Sequence, residues 1–225
     1  MKTKISDELS GIISQMLKPL KGLSFKLIIE GLSGNKIIPF NPKDKKDAAL
    51  LEKLKNIAIK AGKEINKIGI KTMRPNEAGN AVEIFVKNAM IKEGFEPKTP
   101  FAKSGKRKAS GYPDIEFEDQ FNRTNYLECK TFNSKSENSS FRSFFVSPSE
   151  DLKITKDAHH FMLAFELYDV KNKNSENENI YKCKKWKIIC LAELICDVKY
   201  EFNSNNKNMY SEELILAEGG LECKQ

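Results

Sequence analysis

Apolar residues recur along this chain with two different periods, and each period marks its own kind of element. From Asn76 to Phe95, NEAGNAVEIFVKNAMIKEGF, Val82, Phe85, Val86, Ala89 and Met90 fall at the i, i+3, i+4, i+7, i+8 spacing of one buried helical stripe. Asn76 behind Pro75 suits an N-cap, and Gly94 a C-cap. Ile5, Leu9, Ile12, Ile13, Met16 and Leu17 predict an amphipathic first helix stopped by Pro19, and Leu50, Leu51, Leu54, Ile57, Ala58 and Ala61 a second from Asp47 to Ile65. Elsewhere the period is two. Ile115 and Phe117 alternate with Glu116 and Glu118, and Tyr126, Leu127 and Cys129 with Glu128 and Lys130. Asp119, Asn122, Arg123, Thr124 and Asn125 between them carry the turn chemistry of a hairpin. Phe25, Leu27 and Ile29, followed by Lys36 to Phe40, bracket the SGN turn of another expected hairpin.

Further along, His160 to Leu167 and Lys187 to Leu194 are continuous apolar runs, which predicts central strands buried on both faces. A short strand is expected from Phe144 to Val146, an exposed loop from Val170 to Asn179, and a frayed tail after Ala217. The fold class is therefore α/β (α+β): a mixed central sheet flanked by helices on both faces. Residues 1–73 form an N-terminal helical and hairpin extension packed on a core that spans 74–225. That extension is a candidate for contacting a ligand or a second copy of the chain.

The pattern places chemistry at one point. Glu128 and Lys130, two apart on a strand, share a face, and a tight hairpin brings Asp114 up beside them. Two carboxylates converging on one point call for a divalent cation. Glu83 lies at the margin of the buried helical stripe, away from the open face of Lys87, Asn88 and Lys92, and so is a further candidate. A plain i,i+4 pair with Lys87 is the competing explanation for it. Glu116, on the Asp114 face, reads as a solvated strand glutamate before an extra ligand, and Glu77 as a partner of the helix dipole.

Composition narrows the setting. The chain has 225 residues, 40% of them hydrophobic and 31% charged, which suits a globular protein with a full core. No run approaches the ~18 apolar residues of a membrane span, and MKTKISDELSGIISQ lacks the apolar core of a signal peptide. A cytoplasmic location is expected. Cys129, Cys183, Cys190, Cys196 and Cys223 include no close pair and sit mostly in apolar strand-like contexts, so reduced, buried thiols are expected and structural zinc is not. The Cys129 thiol, between Glu128 and Lys130, faces the other side of the sheet. Charge is uneven: residues 1–113 carry 23 Lys and Arg against 11 Asp and Glu, and residues 114–225 carry 15 against 20. A polyanion such as DNA is the natural partner of the first half. The acid-free run from Phe101 to Tyr112 leads straight into the Asp114 strand. Its Lys103, Lys106, Arg107 and Lys108 are candidate DNA-binding residues, with Arg142 in the polar loop 133–143. Arg123 shares their scarcity, since the chain has only four arginines.

Pro113 and Asp114 opening one strand, and Glu128, Cys129 and Lys130 closing the next, resemble the PD-(D/E)XK nuclease superfamily. Gly79 followed by Glu83 on the upstream helix resembles the glutamate that completes the metal site in Holliday-junction resolvases and many type II restriction enzymes. The resemblance covers roughly residues 74 to 168. It implies a restriction-endonuclease-like core over 74–225 and Mg²⁺ held by Asp114 and Glu128, with Glu83 and the Cys129 backbone carbonyl as further ligands. Asp114, Glu128 and Lys130 would be catalytic, the products a 5′-phosphate and a 3′-hydroxyl. Within the superfamily a type II restriction endonuclease is expected, because this length leaves room for elements that recognise sequence. It would cut double-stranded DNA, as a homodimer, beside a cognate DNA methyltransferase. A structure-specific resolvase or repair nuclease is the alternative, then a DNA-binding module without catalysis.

Overall fold

In the computed structural model the chain runs α1 (Lys2–Met16), β1 (Leu20–Ser24), α2 (Phe25–Ser33), α3 (Lys45–Ile68), β2 (Ile70–Thr72), α4 (Pro75–Lys92), β3 (Ile115–Glu118), β4 (Thr124–Phe132), β5 (His159–Lys171), β6 (Asn179–Cys190), β7 (Ile195–Val198) and a 3-10 turn at Glu212–Leu214. The structure describes residues 2–16, 18, 20–72, 75–108, 111–133, 135, 137, 139–140, 143–149, 151–171, 179–198, 208 and 211–214.

Five strands form one mixed sheet in the order β2-β6-β5-β4-β3. The pair β3–β4 is the antiparallel hairpin that the alternation predicts, with Ile115 opposite Leu127 and Glu118 opposite Thr124. Its turn carries Asn122 at φ 58°, a left-handed conformation that asparagine tolerates. The β4–β5 pair is parallel, and β5–β6 is antiparallel. Alternation sorts the strand residues into two cores. Leu127, Cys129, Phe161, Leu163 and Phe165 pack with α3 and α4, through Leu54, Ile57, Val82, Val86 and Met90. Tyr126, Met162 and Ala164 point to the other face, where Phe25 and Ile29 of α2 and Tyr112 cover them. Helices thus flank both faces of a mixed sheet, as the fold class requires.

Several local expectations fail. The stretch 25–40 is not a hairpin: Phe25–Ser33 is helical, because Ser24 caps it by accepting from the Leu27 N–H at 3.3 Å and Gly34, at φ 75°, closes it. Phe25 and Ile29 satisfy a helical spacing as readily as an alternating one, and both are buried while Leu27 is exposed. Residues 144–146 form no strand; Phe144 and Val146 pack on the second core instead. The expected strand at 187–194 runs from 179 to 190, and β5 extends to Lys171, so strand replaces both ends of the expected 170–179 loop. Helix α4 begins at Pro75, which puts Asn76 inside it and not at the cap, while Gly94 ends it at φ 88°. The tail after Ala217 and Cys223 lie outside the described residues. So do Leu17 and Pro19, although α1 forms as expected.

By its internal contacts the chain divides into residues 23–196, which hold the sheet and its helices, and residues 1–22 with 197–225. In the smaller unit α1 leaves Leu9, Ile12 and Ile13 exposed. Helix α3 lies in the larger one, where Leu50 to Ile65 contribute to the main core. No described helix is long and apolar enough to cross a membrane.

Candidate active site

Asp114 immediately precedes β3, beside the middle of β4. Its Oδ2 accepts from the Cys129 N–H at 2.8 Å, which fixes the carboxylate against the neighbouring strand. Glu128, one residue earlier on β4, is 5% exposed. Its Oε1 pairs with Lys130 Nζ at 2.9 Å, whereas its Oε2 is buried and has no hydrogen-bond partner among the described residues. Burial raises the Glu128 pKa, and the charge of Asp114 raises it further, to about 7. The Asp114 pKa is raised as well, by burial and then by the charge of Glu83, against the lowering effect of the Cys129 N–H. The predicted convergence of Asp114, Glu128 and Lys130 is therefore present, and burial above all raises both of its carboxyl pKa values.

The other predicted ligands sit differently. Glu83, on α4, pairs with Lys87 at 2.5 Å, and Lys87 Nζ also donates to Thr99 Oγ1 at 3.1 Å. The i,i+4 pair anticipated as the alternative thus forms, while the Glu83 charge still acts on Asp114. The Cys129 thiol is buried in the α3–α4 core and its pKa is pushed well up by burial, so only its backbone is available to the site. Among the described residues no set of three or more His, Cys, Asp and Glu side chains is gathered tightly enough to hold a metal ion by itself. Glu116 pairs with Lys156 at 2.9 Å, and Glu77 accepts from Thr72 Oγ1 at 2.6 Å. Cys129 and Cys183 are buried free thiols, as expected, whereas the Cys190 thiol is exposed and that of Cys196 only partly buried.

One member of the site carries no local sequence signal. Lys153 is only 3% exposed, and its Nζ donates to the carbonyls of Gly111 at 2.6 Å and Pro113 at 3.0 Å. These flank the Tyr112–Pro113 peptide bond, which is cis and leads into Asp114. Burial lowers the Lys153 pKa, and the charges of Asp114, Glu128 and Glu83 work against that loss. Its partners are backbone carbonyls some forty residues away, so nothing adjacent to Lys153 in the sequence could point to it. Tyr112 and His160 back the same corner, Tyr112 Oη lying 2.7 Å from His160 Nδ1.

Of the candidate DNA-binding residues, Lys103, Lys106 and Arg107 are exposed on a tight loop closed by the Phe101–Arg107 bridge. Arg107 lies over the Phe101 ring at 4.8 Å. Lys108 is tied to Asp151 at 2.7 Å, and that pairing, with the Ser104 N–H, lowers the Asp151 pKa to about 2. Arg142 lies outside the described residues. Arg123 belongs to a different structure: its Nε and Nη1 pair with Asp119 at 2.8 Å and Asp47 at 2.6 Å, locking the hairpin turn to the start of α3.

The family described as type II restriction enzyme MjaV matches residues 19–213. The chain is 38% identical over 231 residues to the type II restriction enzyme MjaV of Methanocaldococcus jannaschii, covering 96% of this chain and 97% of that protein. No solved structure matches it.

Proposed function

Because the chain belongs to the type II restriction enzyme MjaV family, we propose that it is a type II restriction endonuclease of the PD-(D/E)XK kind, hydrolysing phosphodiester bonds of double-stranded DNA at a specific short sequence with Mg²⁺. One observation carries the reading: the buried, unpartnered Glu128 Oε2 beside Asp114, with Lys130 alongside. That donor set fits a hard divalent cation, since it offers carboxylate oxygens, one of them buried without a hydrogen bond. Asp114, Glu128 and the Cys129 carbonyl would hold it, with Glu83 in support. When bound, the ion supplies activation of water and neutralisation of the charge that builds on the phosphate.

The chain's own groups do the rest. Lys130, which stands beside Glu128, would orient the attacking water or stabilise the developing charge. Lys153 positions Asp114 by holding the two carbonyls ahead of it. The exposed Lys103, Lys106 and Arg107, with Lys108 and Arg142, contact the DNA. With one such corner per chain, cutting both strands calls for a homodimer, and a cognate DNA methyltransferase would protect the host DNA in the cytoplasm.

The test is cleavage of phage DNA and of a synthetic four-way junction, side by side, with Mg²⁺. Discrete fragments from phage DNA, abolished by EDTA, are the expected result. Cutting confined to the junction would transfer the reading to a structure-specific nuclease, and binding without cutting to a non-catalytic module.

A further inference from the structure

The row of side chains that begins at Lys130 continues across the sheet. Lys130 lies opposite Ala164 on β5, and Ala164 opposite Lys187 on β6. One step along, Phe132 lies opposite Glu166, and Glu166 opposite Lys185. Residues paired across strands project to the same face, so Lys185 and Lys187 stand on the face of Lys130, two strands away, at a backbone separation of about 10 Å. Between them Ala164 raises only a methyl group, and both lysines lie over the Phe132 ring, at 5.7 and 5.2 Å.

Both ammonium groups are engaged by one carboxylate. Glu137 Oε2 lies 3.1 Å from Lys185 Nζ, and Glu137 Oε1 pairs with Lys187 Nζ. Glu137 comes from the 133–140 stretch, NSKSENSS, which has no apolar side chain to bury on the sheet. Lys185 and Lys187 remain 46% and 41% exposed. Glu166, the other acid in reach, is 3% exposed and pairs with Lys184 as well as Lys185. Glu137 is thus the exchangeable anion in this group, and it holds its two lysines as a bridging phosphate would.

We infer that Lys185 and Lys187 are a seat for a backbone phosphate of the DNA duplex, on the same sheet face as Lys130, and that Glu137 fills this seat until DNA displaces it. The inference rests on the nuclease reading above. It gives the acid and the lysines opposite effects on one affinity, which a merely structural ion pair would not do.

The experiment is equilibrium binding of a labelled, non-cognate duplex to the full-length protein in EDTA, across about 50–200 mM salt. Lys185→Gln with Lys187→Gln should weaken binding about tenfold at low salt and reduce the log–log salt slope by about 0.9, the contribution of the one phosphate that the pair neutralises. Lys185→Arg with Lys187→Arg should keep both. Glu137→Gln should tighten binding several-fold with the Lys pair present, and have no effect once both lysines are Gln. Melting temperatures of the variants establish that each is folded. Binding by the wild type with Kd and slope unmoved in all variants would overturn the seat and leave the nuclease reading standing. No duplex affinity in the wild type would overturn both.

Discussion

Two buried ionic clusters stand on this sheet, and they are built to opposite rules. Around Arg123, every carboxylate oxygen has a partner. Asp119 accepts from the N–H groups of Phe121 and Arg123 and from Arg123 Nε, while Asp47 accepts from Arg123 Nη1 and the Asn41 N–H. What that cluster leaves unmatched on its cation is a donor, Arg123 Nη2, which goes without a hydrogen bond. Around Asp114 the shortage is reversed: Glu128 Oε2 is buried and unmatched, and both carboxyl pKa values rise. A cluster that satisfies its acids holds the chain together. One that leaves a buried carboxylate oxygen unmatched stores a demand for a cation, and the demand sits where the motif places the chemistry.

The comparison breaks most visibly if the two clusters are cut at their cations. Lys130→Ala should lower the cleavage rate of the folded protein by at least about 10²–10³-fold, with duplex affinity nearly unchanged, because the lysine acts mainly in the transition state. Arg123→Met should do the reverse. Leaving Asp47 and Asp119 buried without their partner costs about 3 kcal/mol, read as a fall of roughly 6–12 °C in melting temperature, while the rate per folded molecule persists. If Arg123→Met abolishes cleavage in a folded protein, the division of labour is wrong.

A pH series sharpens the contrast. The folded pKa of Glu128 lies above its unfolded value, so the unfolded chain releases this proton first and stability is lost as pH rises from about 4.5 to about 7. Glu128→Gln should therefore stabilise the metal-free protein by about 1–3 kcal/mol at pH 8 and leave it unchanged at pH 4. Equal effects at both pH values would show that burial of the charge is not the cause. A smaller effect is expected at Glu83. Its pair with Lys87 contributes only about 0.3–0.5 kcal/mol, so Glu83→Gln should barely move the melting temperature. Cleavage should nevertheless fall about tenfold and require more Mg²⁺. Wild-type rates at limiting Mg²⁺ would remove Glu83 from the site.

Legibility in the sequence followed the range of the forces involved. The β3–β4 hairpin and helices α3 and α4 were readable because each encodes its own period and its own turn or cap. Asp114, Glu128 and Lys130 inherit that legibility, since alternation puts Glu128 and Lys130 on one face and the hairpin brings Asp114 beside them. The segment 25–33 was not readable, since Phe25, Leu27 and Ile29 suit two periods and the Ser24 cap decides between them. Lys153 and the partners of Arg123 were hidden for another reason. Their contacts reach across 40 and 76 residues, and neither contact leaves a mark on its neighbours in the chain.

Cleavage of phage DNA by the wild type and by Asp114→Asn, titrated with Mg²⁺, tests the central claim most directly. The wild type should give discrete fragments whose yield saturates with Mg²⁺ and disappears in EDTA, and Asp114→Asn, folded and still bound to DNA, should give none. The same fragments from Asp114→Asn, at the same Mg²⁺ concentrations, would contradict the assignment of this corner as the place where the phosphodiester bond is cut.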